Sequence, residues 1–247
     1  MAVVQLIFKK ENPLLLKNYR PISLTNCDYK IIVFILSNRI QNVIHNVVSN
    51  DQTAYVKNRF IGNNVRLLTD VLDYCDLSNK TGILLSVDFE KAFDTVEWNF
   101  VQQCLQKFDF GQTFIKWIEI LYTNPVMVVK NNGYFTRKIN LSRGLRQGCP
   151  LSALLFVLIA EILAIKVRDN IDINGILVQD SILKISQYAD DLTLILSDFE
   201  SILTSIKTIE KFSEVAGPQI NLSETEGLLI GTLKHSIYRV YGHKNDQ

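Results

Sequence analysis

The sequence predicts an α+β fold in which a largely antiparallel sheet carries helices packed on one face. Helical periods interleave with short apolar runs that are typical of strands. Hairpin signals such as Asn131-Asn132-Gly133 are frequent, and tight turns of this kind join antiparallel strands. Because hairpins are frequent, a doubly wound parallel sheet is less favoured. No repeat, low-complexity segment or Gly/Ser/Pro linker divides the 247 residues, so any second lobe is continuous with the first.

The first half of the chain predicts one long helix, one buried strand and two shorter helices. Apolar residues at helical spacing cover 28–48, and the turn formers Ser49-Asn50-Asp51 follow. The apolar run 83–87 is too short for a helix and suits a buried strand that ends at Asp88. The two shorter helices are predicted around 97–107 and 113–122.

The second half predicts hairpins that alternate with two helices. A helix over 151–168 follows Pro150, and Ser197 with Glu200 forms a capping-box pattern before a helix that Gly217 stops. The predicted strands are 126–130, 134–141, 182–188, 192–196, 219–222 and 227–230, with Ala189-Asp190-Asp191 as the turn of the second hairpin.

Composition excludes several protein classes. Hydrophobic residues make up 47% and charged residues 21%, with 5 Pro and 11 Gly, so collagenous and disordered chains are excluded. The net charge of +1 is unevenly spread: +6 over 1–66, −5 over 67–129 and 0 over 130–247. The stretch 130–146 holds five basic side chains and no acid. A solvated face explains such patches, but they also suit a phosphate backbone that passes a metal site.

Cysteine spacing and hydropathy predict an intracellular protein, in the nucleus or cytoplasm, that is not secreted. The four cysteines are widely spaced without a zinc pattern, which is typical of reduced thiols. The apolar start, 1–8, is too short for a signal peptide. The run 151–167 falls short of a membrane span and carries Glu161 and Lys166, so it predicts a buried core helix and no membrane partner.

Three aspartates are the strongest candidates for chemistry. Asp88 ends the apolar strand, and Asp190-Asp191 occupy the later turn. If the two strands are neighbours, these carboxylates meet at one sheet edge and need a hard cation such as Mg²⁺ or Mn²⁺ to neutralise them. The alternative is that Asp190-Asp191 merely favours a turn and that Asp88 caps the helix after it.

A basic loop, 143–149, precedes the long helix. Gly144 and Gly148 permit close approach of the backbone to a ligand, and Arg143 and Arg146 can meet phosphate. The spacing matches neither a P-loop nor a dinucleotide fingerprint. A plain strand-to-helix connection is the alternative.

Four segments in order resemble the reverse transcriptase domain of non-LTR (LINE-type) retrotransposons. The segments 51–56 and 217–226 also match, so the resemblance covers roughly residues 1–231. Its main segments are Asn18-Tyr19-Arg20-Pro21-Ile22-Ser23-Leu24, Val87-Asp88-Phe89-Glu90-Lys91-Ala92-Phe93-Asp94, Arg146-Gln147-Gly148-Cys149-Pro150-Leu151-Ser152 and Tyr188-Ala189-Asp190-Asp191.

The resemblance implies a right-hand polymerase, an RNA-directed DNA polymerase that extends a DNA primer on an RNA template with deoxynucleoside triphosphates. It assigns 1–80 to the fingers, 81–231 to the palm with a fingers-associated segment at about 97–141, and 232–247 to a tail without a thumb. Asp88 and Asp190 would hold two Mg²⁺ ions, with Mn²⁺ as a substitute, joined by the backbone carbonyl of Phe89, while Asp191 supports the turn.

The resemblance also implies a nucleotide site. Phe93 stands where such enzymes place an aromatic gate against a ribose 2′-hydroxyl, although a buried core Phe is the alternative. Arg20 and Lys10 would grip the incoming triphosphate. Gln147 and Gly148 would line the nucleotide pocket, while Arg143 and Arg146 contact nucleic acid.

The sequence departs from the family in three ways. Glu224 stands where a Lys is usual, and a Lys there could protonate the leaving pyrophosphate. The tail after Gly231 does not match the strand that grips the primer, and nothing corresponds to an endonuclease. A catalytically decayed nucleic-acid-binding remnant of the same fold is therefore the second hypothesis. A receiver-type phosphotransfer domain is third, because it would place the acidic pair early and the single Asp later.

Overall fold

A computed structural model describes residues 1–9, 12–233 and 237–239, and within them eight helices alternate with short strands. A 3₁₀ turn at Leu16–Asn18 precedes the first helix. The helices are α1 (Cys27–Gln41), α2 (Ile44–Val47), α3 (Ile61–Leu77), α4 (Ala92–Thr95), α5 (Trp98–Lys107), α6 (Gln112–Tyr122), α7 (Pro150–Asp169) and α8 (Glu200–Ala216).

Fourteen strands are found in the described residues. They are β1 (Ala2–Phe8), β2 (Tyr19–Leu24), β3 (Thr81–Val87), β4 (Phe89–Glu90), β5 (Val126–Asn131), β6 (Tyr134–Phe135), β7 (Ile139–Asn140), β8 (Ile176–Val178), β9 (Ser181–Leu183), β10 (Ile185–Tyr188), β11 (Asp191–Leu196), β12 (Gln219–Ile220), β13 (Glu226–Gly231) and β14 (Ile237–Arg239). The mixture of helices with mostly antiparallel strands confirms the predicted α+β class.

The chain divides into two compact units. The first unit comprises 1–44 and 93–156, and the second comprises 45–92 and 157–247. Residues 45–80, which the resemblance assigns to the fingers, thus belong to the same unit as β3.

The second unit is built on a five-stranded antiparallel sheet with the order β10-β11-β3-β13-β14. Residues 82–85 of the central strand β3 are all buried. Because successive side chains in a strand point to opposite faces, both faces of β3 are covered. On one face, Val71 and Cys75 of α3 pack in a buried cluster with Leu84 and Ile230.

The first unit contains the second five-stranded sheet, with the path β2-β1-β5-β6 and with β7 paired to β5. The predicted Asn-Gly hairpin is confirmed, because Asn131 pairs with Tyr134 across Asn132 and Gly133. Both loop residues have positive φ, +48° and +85°, as a type I′ turn requires. The parallel pairing of β1 with β5 was not foreseen.

Several local predictions need correction. The strand predicted over 134–141 is divided into β6 and β7, and the strand predicted over 182–188 is interrupted between β9 and β10. The helix predicted over 28–48 is divided into α1 and α2. The Ser197–Glu200 capping box is wrong, because the Ser201 backbone N–H donates instead to the Asp198 carboxylate, at 2.8 Å. Burial raises the pKa of this carboxyl, but hydrogen bonds from Ser201, Asn174 and Ser197 outweigh burial and lower it overall.

The long apolar helix α7 belongs to the protein core. By length and composition it could cross a membrane, but 72% of its apolar window is buried inside the protein, as predicted for a core helix. Glu161 on α7 is 1% exposed, and it accepts hydrogen bonds from Ser49 and Arg168. Arg168 also pairs with Asp51 at 2.6 Å. A buried carboxylate is therefore balanced by one guanidinium.

Replacing Arg168 with Met is expected to lower the free energy of unfolding by about 3 kcal/mol, because the Glu161 charge then stays buried without its partner. Urea denaturation at pH 7 measures this loss. The double variant Glu161→Leu/Arg168→Met should recover part of it, since no buried charge remains. Arg66→Met is the control: its exposed pair with Asp70, at 3.7 Å, should contribute less than about 1 kcal/mol. Equal losses for Arg168→Met and Arg66→Met would contradict this account.

Candidate active site

Strand pairing in the second unit brings the three aspartates to one sheet edge. Val87, the last residue of β3, pairs with Leu192 of β11. Asp88 therefore follows β3 at the edge where Asp191 begins β11, and Asp190 lies in the turn between β10 and β11. Asp190 and Asp191 are exposed and Asp88 is half-buried. A ligand from solvent can therefore reach this edge.

Asp88 is held by the turn that follows β12. The Asn221 backbone N–H donates to the Asp88 carbonyl at 2.8 Å, and the Asn221 side-chain amide donates to the Asp88 carboxylate at 3.1 Å. The Thr225 hydroxyl accepts from the Asp88 N–H at 3.4 Å and donates to the Asn221 carbonyl at 2.8 Å. Asn221 lies within the strand predicted over 219–222, but β12 ends at Ile220 and Asn221 follows it.

Glu224 belongs to the same turn. Its backbone N–H donates to the Asn221 carbonyl at 3.2 Å, and its side chain is exposed. Asn221 contacts Asp88 directly. Glu224, which departs from the family pattern, therefore lies on the same turn that holds the candidate metal ligand Asp88.

Tyr55 lies close enough to the acidic turn to sense its charge. Burial raises the pKa of the Tyr55 phenol, and the negative charge of Asp190 raises it further. Tyr55 is 53% exposed and adopts a positive φ of 57°, which is uncommon outside Gly. The exposed ring of Tyr55 therefore lies near Asp190.

The donor chemistry at this edge fits Mg²⁺ or Mn²⁺, which prefer carboxylate and carbonyl oxygens. No ion pair neutralises Asp88 or Asp191 among the described residues. Within the same residues, no group of three or more His, Cys, Asp or Glu side chains is arranged to hold a metal. The edge offers the carboxylates of Asp88 and of the Asp190-Asp191 turn, and Phe89 is the residue that follows Asp88.

The first unit gathers most of the candidate nucleotide-binding residues. Gln147 donates a side-chain hydrogen bond to Asp94 at 3.0 Å, and its carbonyl accepts from Ser23 of β2 at 3.1 Å. Phe93 is half-buried and stacks on Phe156 with ring centroids 4.4 Å apart. The loop before α7 is thereby joined to β2 and to α4.

Arg20 and Gly148 are also on this part of the first unit. Arg20 lies on β2 and is exposed, and its side chain makes no hydrogen bond or ion pair with another described residue. Gly148 has a φ of +88°, and a Cβ there would meet Ile22 of β2 at 3.4 Å. Lys10 lies outside the described residues.

The loop needs glycine at position 144. The φ of Gly144 is +97°, and a Cβ there would lie 2.6 Å from the Asp94 carbonyl oxygen. The Gly144 carbonyl accepts from the Trp98 indole at 2.8 Å, which gives this Trp a packing role. The loop therefore runs against the segment that carries Phe93.

The two loop arginines have different partners. Arg143 forms an exposed ion pair with Glu97 at 3.3 Å. The Arg146 guanidinium lies 4.5 Å from the centre of the Tyr29 ring. Burial is the main cause that raises the pKa of Tyr29 to about 12, so this phenol is neutral at pH 7. The Arg146 guanidinium therefore lies over the face of a neutral aromatic ring.

The acidic sheet edge and the mixed α+β units fit the class of right-hand polymerases that the motifs predicted. The sequence profile of the reverse transcriptase (RNA-dependent DNA polymerase) family matches residues 7–244. The chain belongs to this family.

Similar proteins agree with this assignment. The chain is 34% identical over 235 residues to the transposon TX1 uncharacterized 149 kDa protein of Xenopus laevis, covering 94% of the chain and 18% of that protein. It is 26% identical to the retrovirus-related Pol polyprotein of the type-1 retrotransposable element R2 of Popillia japonica, covering 89% of the chain and 30% of that relative. The chain thus spans less than a third of these relatives.

Among solved structures, telomerase from Candida tropicalis in complex with a fragment of telomeric RNA has a similar fold. The TM-score is 0.63 at 14% identity, covering 99% of this chain and 45% of that one. A truncated apo telomerase from the same organism gives 0.57 at 12% identity, with 96% and 54% covered. These similarities confirm the predicted polymerase fold.

Proposed function

We propose that this chain is the catalytic core of an RNA-directed DNA polymerase, which adds deoxynucleotides to a primer 3′-hydroxyl by two-metal catalysis. One observation carries the proposal: β3 pairs with β11 so that Asp88 and the Asp190-Asp191 turn share one exposed sheet edge. Membership of the reverse transcriptase family supports the reaction type.

In this proposal Asp88, Asp190 and the Phe89 carbonyl hold the metal ions, and Asp191 supports the turn. Two Mg²⁺ ions, or Mn²⁺ in their place, would supply the Lewis-acid chemistry that favours attack by the hydroxyl and departure of pyrophosphate. Asn221 keeps the Asp88 carboxylate oriented through its amide. Asp190 is an exposed residue at the same edge.

We assign nucleotide recognition to the first unit. Arg20, together with Lys10, binds the triphosphate, and the exposed Arg20 side chain, which has no hydrogen bond or ion pair with the described part of the chain, supports this role. Gln147 and Gly148 line the pocket. Phe93 excludes the ribose 2′-hydroxyl, because an apolar ring braced by Phe156 offers no hydrogen-bond partner and little freedom to move aside.

Arg143 and Arg146 contact the nucleic acid in this proposal. The Arg143–Glu97 pair is exposed, and pairs of this kind contribute less than about 1 kcal/mol, so a phosphate can replace Glu97. The partners are then an RNA template, a DNA primer and deoxynucleoside triphosphates, with no membrane. We place the domain inside the cell, in nucleus or cytoplasm, which agrees with its four unpaired cysteines.

A catalytically decayed nucleic-acid-binding remnant is the second candidate function. The observation that favours it is Glu224, an acid on the turn that contacts Asp88. An ionised carboxylate cannot donate a proton to the leaving pyrophosphate, and it adds negative charge where negative charge must be stabilised.

Primer extension by the chain itself, on RNA and DNA templates with Mg²⁺ or Mn²⁺, tests the proposal. Nucleotide addition on the RNA template is expected, together with duplex binding that weakens steeply as salt is added, because bound phosphates release counterions. Binding without extension in either metal would favour the remnant. Absence of both binding and extension would contradict both candidates.

A further inference from the structure

The segment 51–53 pairs with the edge of the hairpin that carries Asp190. Gln52 and Gln187 form a parallel β-bridge. The Gln187 N–H donates to the Asp51 carbonyl at 2.8 Å, and the Thr53 N–H donates to the Gln187 carbonyl at 3.1 Å. Residues distant in sequence thus extend the sheet beside β10.

The Gln52 side chain also contacts the turn that carries Asp190. It is fully buried, with 0% exposure. Its Oε1 accepts from the backbone N–H of Ala189 and from that of Ala54, both at 2.9 Å. Its Nε2 donates a longer bond to the Ala189 carbonyl at 3.5 Å. One amide therefore binds both backbone groups of the residue before Asp190.

Ala189 needs such support. It is 6% exposed, so its backbone groups have little access to water and need partners within the protein. Its φ is +56°, a left-handed conformation that a residue with a Cβ disfavours. Such a conformation persists where the surroundings determine it, and it is concentrated at functional sites.

Gln52 is itself firmly held. The Arg59 guanidinium donates to the carbonyls of Val48, Ser49 and Gln52. Arg168 binds the neighbouring Asp51, and α7 supplies the buried Glu161 that binds the same guanidinium. These contacts all lie within the second unit.

Asn64 braces the other side of the segment. Its amide donates to the Gln187 carbonyl at 2.9 Å and to the Ser186 hydroxyl at 2.8 Å, while its oxygen accepts from Thr53. The chain before the turn and the segment beside it are therefore joined by one buried side chain.

We propose that Gln52 is a positioning residue, which fixes the backbone of Ala189 and thereby the direction in which Asp190 presents its carboxylate. The proposal rests on the proposed function for its catalytic consequence, because Asp190 is the assigned metal ligand there. Because Gln52 is fully buried, it acts through the Ala189 backbone and not as a catalytic residue. A merely structural buried Gln would add stability without affecting metal binding.

The test compares the parent chain with Gln52→Met, which keeps the length of the side chain but removes its hydrogen bonds. The matched control is Ile209→Val, which shortens a fully buried α8 side chain that can form no hydrogen bond with the turn. Thermal unfolding measures stability, and hydrogen exchange of a peptide covering 186–192 measures the protection of the Ala189 amide. Mn²⁺ titration and single-nucleotide incorporation measure metal binding and rate.

In Gln52→Met, the Ala189 amide hydrogen should exchange faster than in the parent chain. Mn²⁺ binding should weaken and nucleotide incorporation should slow by roughly tenfold to a hundredfold, because losing a partner that orients a metal ligand has an effect of this size. Ile209→Val should match the parent in all three. Unchanged exchange in Gln52→Met, or equal changes in both variants, would overturn the proposal.

The readouts also separate this proposal from the proposed function. If the parent extends primers and Gln52→Met keeps the same exchange, Mn²⁺ binding and rate, the positioning role fails and the polymerase function stands. If the parent extends nothing, but Gln52→Met alone loses amide protection and Mn²⁺ affinity, the polymerase function fails and the positioning role stands.

Discussion

Asp190→Asn is expected to abolish primer extension while duplex binding remains close to that of the parent chain. The amide keeps the size of the side chain but removes the negative charge, and a neutral group is a poor ligand for a hard divalent cation. Phosphate contacts from the basic residues are separate from this chemistry, so affinity and its salt dependence should persist. Single-nucleotide incorporation and fluorescence anisotropy with a labelled primer–template measure the two properties.

Asp180→Asn is the matched control for that substitution. Asp180 is another exposed aspartate of the second unit, in the turn between β9 and β8, away from the β3–β11 edge in sequence and in strand pairing. The control should extend primers at the rate of the parent. Extension by Asp190→Asn at that same rate would contradict the assigned role of Asp190 in metal binding.

Glu224→Lys is expected to raise the rate of nucleotide addition by at least about tenfold, since positioned proton transfer contributes on the order of 10²–10⁴-fold. The substitution replaces an anion with a proton donor on the turn that Asn221 joins to Asp88. It also removes repulsion from a site that must stabilise negative charge. Incorporation of one nucleotide, at saturating nucleotide concentration, measures the gain.

Glu226→Lys is the control for the change of charge alone, because Glu226 begins β13 two residues further on. The alternative is that Glu224 is a solvated turn residue and that Lys207 or Lys211 of α8 donates the proton. Equal rates for the parent chain and both variants would favour that alternative. A gain confined to position 224 would support a polymerase of reduced activity over a remnant that only binds nucleic acid.

Local patterns were sufficient for many elements of this fold. The run 83–87 was predicted as a buried strand because its apolar residues are continuous, and the structure confirms it within β3. Asn132-Gly133 predicted a hairpin because two adjacent positive φ angles favour these residues, and the turn is present. The helix α7 was predicted as a core helix from its charged residues and from an apolar run too short for a membrane span; its burial agrees with the prediction, but its 20 residues are long enough to cross a membrane, so the length argument was wrong.

The capping of α8 shows why other predictions fail. Ser197 and Asp198 are both good helix-capping residues, and their spacing to Glu200 favoured Ser197. The choice of Asp198 depends on its additional bonds to Asn174 and Ser197. Asn174 is distant in sequence, so no local pattern could include that contribution.

The sequence by itself was sufficient to identify the family and to select the three candidate aspartates, because both depend only on which residues occur and in what order along the chain. Tertiary structure alone decided that Asp88 and the Asp190 turn share an edge, through the register Val87↔Leu192. It also decided that Asn221 binds Asp88 and that Gln52 binds Ala189. Those contacts join residues more than 130 positions apart, and such pairs form only when burial and hydrogen bonding of the whole sheet offset the entropy of closing long loops.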